Sequence, residues 1–226
     1  MFERKKAVIW DLDNTLYRIT PEFADTLDET MALALIEDLN VPLSFEECKA
    51  LVKESYRIYR DGGEYFYQTY NISPKDLSHC YHKRNPVHLI EPYSDLAAKL
   101  KKIPLEQYVF TASSRSATER ILRHIGLYEM FQNRFYSVED FGVYRKNEDV
   151  NVYKQYCEKI GHNPSECIFV DDSYSNLEYA KQAGMTTVRI YYQNNSASDK
   201  PYIDTAFKGV QECIDALIVA TAKKAV

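Results

Sequence analysis

Along the chain, short runs of apolar and aromatic residues are separated by longer amphipathic stretches. The runs lie at Ala7–Trp10, Tyr108–Phe110, Arg134–Ser137, Cys167–Val170 and Thr186–Tyr191. Most are apolar throughout, so they read as strands buried on both faces rather than strands with one wet side. The amphipathic stretches lie at Glu91–Lys102, Ser116–Ile125, Val150–Ile160, Ser175–Ala183 and Phe207–Ala222. Buried strands alternating with helices predict an α/β fold: a Rossmann-like, doubly wound parallel sheet. In such sheets ligands bind outside the carboxyl ends of the strands, so the polar residues closing each run carry the most information.

One interval breaks the alternation. Roughly 90 residues separate the first run from the second, far more than a strand-to-strand crossover needs. The interval reads as helical. Pro21 opens a helix over Glu22–Leu39, with Phe23, Leu27, Met31, Leu35 and Leu39 on one face. Ser44 and Glu47 form a capping-box pattern for a second helix to about Tyr59. Asp61-Gly62-Gly63 is a break, and Ser73-Pro74 starts another helix toward Tyr81. The chain therefore divides into a core of residues 1–16 and 89–226 and an inserted helical cap domain of residues 17–88. The crossings near Tyr17–Thr20 and Val87–Pro92 are its hinges. Residues Asn194–Ser198 read as a loop before the last helix.

Composition narrows the function classes. The chain has 226 residues, a net charge of −5, 45% hydrophobic and 27% charged residues. These values fit a soluble globular protein. They disfavour binding of a nucleic acid polymer, or of a membrane surface, through bulk positive charge. The five cysteines show no C-x-x-C spacing, which disfavours a disulfide framework or a zinc site. No leader-like or membrane-spanning run is present, so the expected location is cytoplasmic.

The candidate chemistry sits at the strand ends. Asp11-Leu12-Asp13-Asn14-Thr15-Leu16-Tyr17 directly follows the first run. Two carboxylates so close are costly unless a proton or a cation neutralises one. A hard cation such as Mg2+ suits a few carboxylates together with a substrate phosphate. A carboxylate in such a site can attack phosphorus, while a second carboxylate protonates the leaving oxygen and later activates water. Taken alone, the spacing also fits an Asx-capped turn. The fourth run closes on Asp171-Asp172-Ser173, with Asn176 beyond, and here a capped helix start is the competing reading. Thr111 closes the second run and suits a phosphate oxygen, although Ser113 and Ser114 equally read as helix caps. Lys146 stands between Arg145 and Asn147, and a transferring phosphoryl group needs such a fixed cation.

In this order, acids, hydroxyl, lysine and acids, each at a strand end, the sequence resembles the haloacid dehalogenase superfamily, and within it the phosphatases with a helical cap after the first strand. The resemblance covers nearly the whole chain. It implies that Asp11 is the nucleophile and a Mg2+ ligand. Asp13 is then the general acid and base, with its backbone carbonyl on the metal. Thr111 and the neighbouring Ala112 bind the phosphoryl group, and Lys146 neutralises nucleophile and phosphate. Asp172 contacts the metal directly and Asp171 holds a bound water, an assignment that can be reversed. The family often has asparagine where Ala112 stands and proline where Asn147 stands, which leaves Arg145 and Lys154 as weaker alternatives to Lys146. Asp-Asn-Thr-Leu-Tyr, Phe-Val-Asp-Asp-Ser and Ala183–Val188 further resemble the pyrimidine 5′-nucleotidase branch.

The expected activity is Mg2+-dependent hydrolysis of a small phosphorylated metabolite through an aspartyl-phosphate, with a pyrimidine nucleoside 5′-monophosphate as first substrate. A sugar phosphate or phosphoglycolate is the alternative, and a non-catalytic Mg2+- or phosphate-binding regulator is the alternative of another class. Asp13 favours ester hydrolysis over dehalogenation, because alkyl–halide displacement has no ester oxygen to protonate. Tyr56, Arg60 and Tyr65 in the cap are expected to read the leaving group, as a monomer or a homodimer. His79, His82 and His88 fit no metal spacing.

Overall fold

A computed structural model describes residues 2, 4–192 and 200–222. Its centre is one sheet of six strands: β1 (Ala7–Trp10), β2 (Glu106–Thr111), β3 (Phe135–Ser137), β4 (Cys167–Asp171), β5 (Thr186–Tyr191) and β6 (Thr205–Lys208). The order is β3-β2-β1-β4-β5-β6 and every pairing is parallel. The chain leaves β1 toward β2 on one side and reaches β4 on the other. The gap between the ends of β1 and β4 is thus the switch point at which such sheets bind ligands.

Alternation along each strand supplies both layers. Val8, Trp10, Val109, Ile168, Val170, Val188 and Ile190 pack on one face. They meet α5 (Leu96–Leu100), α6 (Arg115–His124) and α10 (Val210–Ala222). Ile9, Phe110 and Phe169 pack on the other face, against α8 (Val150–Lys159) and α9 (Tyr174–Gln182). Each fully buried side chain of this size contributes about 1.5–3 kcal/mol. Trp10 keeps its one polar atom satisfied, with Nε1 donating to Gln107 at 3.2 Å.

Between β1 and β2 lie α1 (Pro21–Leu33), α2 (Phe45–Tyr59), α3 (Glu64–Tyr70) and α4 (Pro74–Lys83). A separate apolar cluster, including Leu35, Cys48, Val52, Phe66 and Leu77, lies among these helices. The first turns of α1 belong elsewhere, since Phe23 is buried in the sheet's own cluster and Leu27 packs against it. Ser44 and Glu47 form the reciprocal capping box at the start of α2.

Several sequence expectations differ from the structure. The helix expected over Phe207–Ala222 is a strand, β6, followed by α10. Gly209 at φ 80° breaks the chain between them, and the half-buried edge strand has too little apolar contrast to separate from the helix after it. The helix expected over Glu91–Lys102 is only α5 (Leu96–Leu100); Pro92 disfavours helix in Glu91 before it, and the residues between Pro92 and Leu96 stay outside the helix. The helix expected to Leu39 widens after Leu33 into a π-helical turn at Ala34–Asp38. Helix α3 follows the glycine break directly. The loop expected at Asn194–Ser198 lies outside the described residues. All five cysteines are free thiols. Among the described residues, no helix is long and apolar enough to cross a membrane.

Candidate active site

The end of β1 lies between the ends of β2 and β4, with Trp10 in register with Val109 on one side and Val170 on the other. Asp11 follows at once, its backbone N–H donating to Val170 O at 2.8 Å. Asp171 closes β4 and Asp172 follows it. One oxygen each from Asp11, Asp171 and Asp172 lies within 4.8 Å of the others. The sheet therefore gathers three carboxylates from two strand ends far apart in sequence.

Lys146 reaches into this cluster with a side chain 2% exposed. Its Nζ donates to Asp11 Oδ1, and to Asp171 Oδ2 at 2.8 Å. Burial works against the ammonium, but the Asp11 and then the Asp171 carboxylate outweigh it and hold Lys146 above the ordinary lysine range. One cation does not balance three carboxylates. Burial, only partly offset by Lys146, pushes Asp11 well above the usual carboxylate range, and Asp171 adds to the rise. Burial and then Asp171 push Asp172 up to about 7. The excess negative charge and the hard oxygen donors fit a divalent cation of the Mg2+ type.

Two of the acids differ in how far they are already engaged. Asp171 is fully buried and accepts from Lys146, from Ser173 N at 2.8 Å and from Asn176 Nδ2 at 3.1 and 3.2 Å. Asp172 accepts from Asn14 Nδ2 at 2.6 Å on Oδ2, and no donor among the described residues meets its Oδ1. Of the two carboxylates, Asp172 is therefore the freer.

Asp13 is not part of this cluster. Its Oδ1 accepts from the Tyr17 hydroxyl at 2.5 Å, and its Oδ2 from Ser113 Oγ at 2.9 Å and Thr111 Oγ1 at 3.3 Å. The turn after β1 separates the two carboxylates by burying Leu12, Leu16 and Tyr17 in the core and by holding Asn14 at φ 57°. Thr111 ends β2 with its Oγ1 also accepting from Ser113 N at 3.0 Å, and Ala112 is exposed at the turn that follows. Ser113 reads in the sequence as a helix cap and Tyr17 as the start of a crossing; their contacts to Asp13 carry no sequence signal until the turn brings them there. Asn14 was unassigned, although its carboxamide links Asp172 to Ile19 N at 3.1 Å in the segment that leads into α1.

The helices above the site hold the remaining candidates. Tyr56 is 56% exposed as a residue. Burial and then Asp172 push the pKa of its hydroxyl upward. Arg60 ends α2 in the left-handed conformation at φ 60° and is exposed. Tyr65 packs edge-on against Phe66 and Tyr70, with centroids 5.3 and 6.4 Å away; this places it in the helical cluster. Arg145 turns from Lys146 toward these helices, with Nη2 2.7 Å from Glu64 Oε2 and Nε 3.3 Å from Asp61 Oδ2. Lys154 lies on α8, outside these contacts. His82 accepts from Ser114 N at 3.3 Å, so α4 is seated on the turn after β2.

The profile of the haloacid dehalogenase-like hydrolases matches residues 5–184. An N-acetylmuramic acid 6-phosphate phosphatase of Pseudomonas aeruginosa is 24% identical over 205 residues, 88% of this chain and 87% of that protein. The (S)-2-haloacid dehalogenase 4A of Burkholderia cepacia is 27% identical over 108 residues, 47% of this chain and 46% of that protein. A crystal structure of a haloacid dehalogenase-like protein of unknown function from Agrobacterium tumefaciens superposes with a TM-score of 0.63 at 17% identity. That superposition covers 96% of this chain and 99% of the other.

Proposed function

Because this chain belongs to the haloacid dehalogenase-like hydrolases, we propose that it is a Mg2+-dependent phosphomonoesterase working through an aspartyl-phosphate. Asp11, Asp172, the backbone carbonyl of Asp13 and, through water, Asp171 would hold the metal. Bound Mg2+ supplies positive charge against the phosphoryl oxygens. Asp11 attacks phosphorus, and the bond from phosphorus to the ester oxygen breaks. Asp13 gives its proton to that departing oxygen, then takes one from the water that attacks the aspartyl-phosphate, so that Asp11 and inorganic phosphate are released. Lys146 holds the Asp11 carboxylate in place and offsets charge on the transferred group. Thr111 and the backbone after it, at Ala112, receive the phosphoryl oxygens.

The observation that carries this reading is the position of Asp13. It stands outside the acidic cluster and is aimed by Tyr17, Ser113 and Thr111. A proton donor held apart from the nucleophile serves ester cleavage, whereas halide departs without a proton. The phosphatase relative also spans most of both chains, whereas the dehalogenase spans about half. That relative favours a sugar phosphate as the substrate. A nucleoside 5′-monophosphate is the second reading, favoured by the half-exposed aromatic rings of Tyr56 and Tyr59 on α2, which could face a base. Phosphate release from sugar phosphates and nucleoside monophosphates, with Mg2+ or with EDTA, tests the reading beside Asp11→Asn and Asp13→Asn. Release that survives EDTA or Asp11→Asn overturns it.

A further inference from the structure

Arg189 lies on β5 in register with Asp171 on β4, one strand away from the acidic cluster. It is 7% exposed. Its guanidinium lies 3.9 Å from the ring centroid of Tyr174 and 5.9 Å from that of Tyr191. These rings offer π-faces but few hydrogen-bond acceptors, and its buried Nε and Nη1 have no partner. Lys146, the other deeply buried cation, has two carboxylates. Arginine stays charged and carries five N–H donors, so burying it with donors unmade is unfavourable unless an acceptor arrives from outside.

A cavity of about 410 Å³ adjoins it. Arg189, Arg18, Asn14, Asp172 and Tyr192 all line this cavity. Arg18 is exposed on the first hinge, its guanidinium 5.7 Å from the Tyr192 ring. Two arginines thus contribute to its wall. Its one carboxylate, Asp172, is already engaged by Asn14 and belongs to the acidic cluster.

We infer that this cavity is an oxyanion subsite, in which Arg189 and Arg18 hold a second anionic group, carboxylate or phosphoryl, on the part of the substrate that leaves. Arg189 is the buried donor that fixes orientation, and Arg18 is the cation at the rim. That the anion belongs to a substrate rests on the phosphomonoesterase reading; that the cavity binds an oxyanion does not.

Two measurements test it. The first is the ratio of kcat/KM within matched pairs: 6-phosphogluconate over glucose 6-phosphate for a carboxylate, and fructose 1,6-bisphosphate over fructose 6-phosphate for a phosphoryl group. A ratio is insensitive to the fraction of folded enzyme. The native enzyme should favour the doubly anionic member of one pair, and Arg189→Gln should lower that ratio about tenfold or more, the loss of a charged hydrogen bond. Arg189→Lys should recover part of it. Arg18→Ala, at an exposed position that folding does not need, should lower the same ratio. The pair that responds identifies the anion. Ratios unchanged in both Arg189→Gln and Arg18→Ala overturn the inference.

The second measurement is calorimetric binding of inorganic phosphate and of succinate to metal-free protein. Binding weakened about tenfold in Arg189→Gln upholds the subsite even if no ester is hydrolysed, in which case only the phosphomonoesterase reading fails. Binding of both probes unaltered by Arg189→Gln and by Arg18→Ala overturns the subsite even if turnover is brisk.

Discussion

The carboxamide of Asn14 donates to the carboxylate of Asp172 across 2.6 Å, joining the turn after β1 to the turn after β4. The same carboxamide accepts from Ile19 N at 3.1 Å, so one side chain ties an acid of the cluster to the segment that leads into the helices between β1 and β2. Groups that orient metal ligands commonly govern metal affinity. Asn14 sits at φ 57°, where alanine is strained, so the informative substitution is Asn14→Gly, which tolerates the backbone and removes only the carboxamide. Mg2+ affinity, read from the activity titration, should fall by about tenfold or more. An unchanged titration curve would show that Asp172 needs no such support.

Asp171 and Asp172 should fail in opposite ways. Asp171→Asn weakens the anchorage of a buried ammonium, because Lys146 then keeps only Asp11 as a carboxylate partner. The metal-free protein should lose stability, by about 3 kcal/mol if the breakage is typical of buried pairs. Asp172→Asn removes a carboxylate that burial and Asp171 hold at a raised pKa of about 7. A carboxyl raised in the fold contributes stability that is complete below its unfolded pKa near 3.8 and lost as pH rises through about 7. At pH 8 the metal-free Asp172→Asn variant should therefore melt higher than the native protein while binding Mg2+ more weakly. Melting curves with and without Mg2+ separate the two cases, and matching behaviour of the two variants would defeat the distinction.

The chemistry of this site was legible in the sequence wherever a polar residue closes an apolar run. Thr111 and Asp171 close strands, Asp11 and Asp172 follow them, and strand ends in a parallel sheet face one shared edge. Lys146 was expected at a strand end as well, but β3 closes at Ser137, and only the fold shows that the lysine reaches both acids. Residues that work across turns were invisible. Tyr17 and Ser113 meet at Asp13 because the chain folds back after β1 and β2, a geometry that no periodicity encodes. Strand β6 escaped because three of its four residues are only half-buried and the fourth, Lys208, is exposed. Tyr65 drew attention as an aromatic near a glycine break, yet its place among Phe66 and Tyr70 is ordinary packing.

His82 should make the protein sensitive to acid. Its Nδ1 accepts from Ser114 N at 3.3 Å and lies 3.1 Å from the Ser78 hydroxyl, so protonation there removes an acceptor. Burial lowers its pKa to about 4 from 6.5; Asp13 opposes the shift and Arg120 reinforces it. A group depressed in the fold contributes stability that is full above its unfolded pKa of 6.5 and lost as pH falls toward about 4. The loss amounts to at most about 3 kcal/mol. His82→Asn keeps a hydrogen-bonding group without a titratable ring, so its stability should fall less steeply between pH 6.5 and 4. Parallel slopes for native and variant protein in urea melts would remove His82 as the cause.

Arg145 should couple the helical insertion to catalysis. It precedes Lys146 in the chain, and its guanidinium reaches Glu64 at 2.7 Å and Asp61 at 3.3 Å. The Lys146 loop is therefore fastened to the glycine break between α2 and α3, and closure of those helices and placement of the lysine share one contact. The pair is not deeply buried, with the Arg145 side chain 37% exposed, so the contact is worth about 1 kcal/mol or less. Arg145→Gln and Glu64→Gln should each lower kcat/KM by about fivefold or less, with the double variant no worse than either alone. The effect should shrink in high salt, which screens a partly exposed pair. Arg145→Lys should recover little, because an ammonium cannot span both acids as the planar guanidinium does. Strictly additive losses in the double variant, indifferent to salt, would mean that Arg145 and Glu64 act separately and that the insertion is held by its apolar contacts alone.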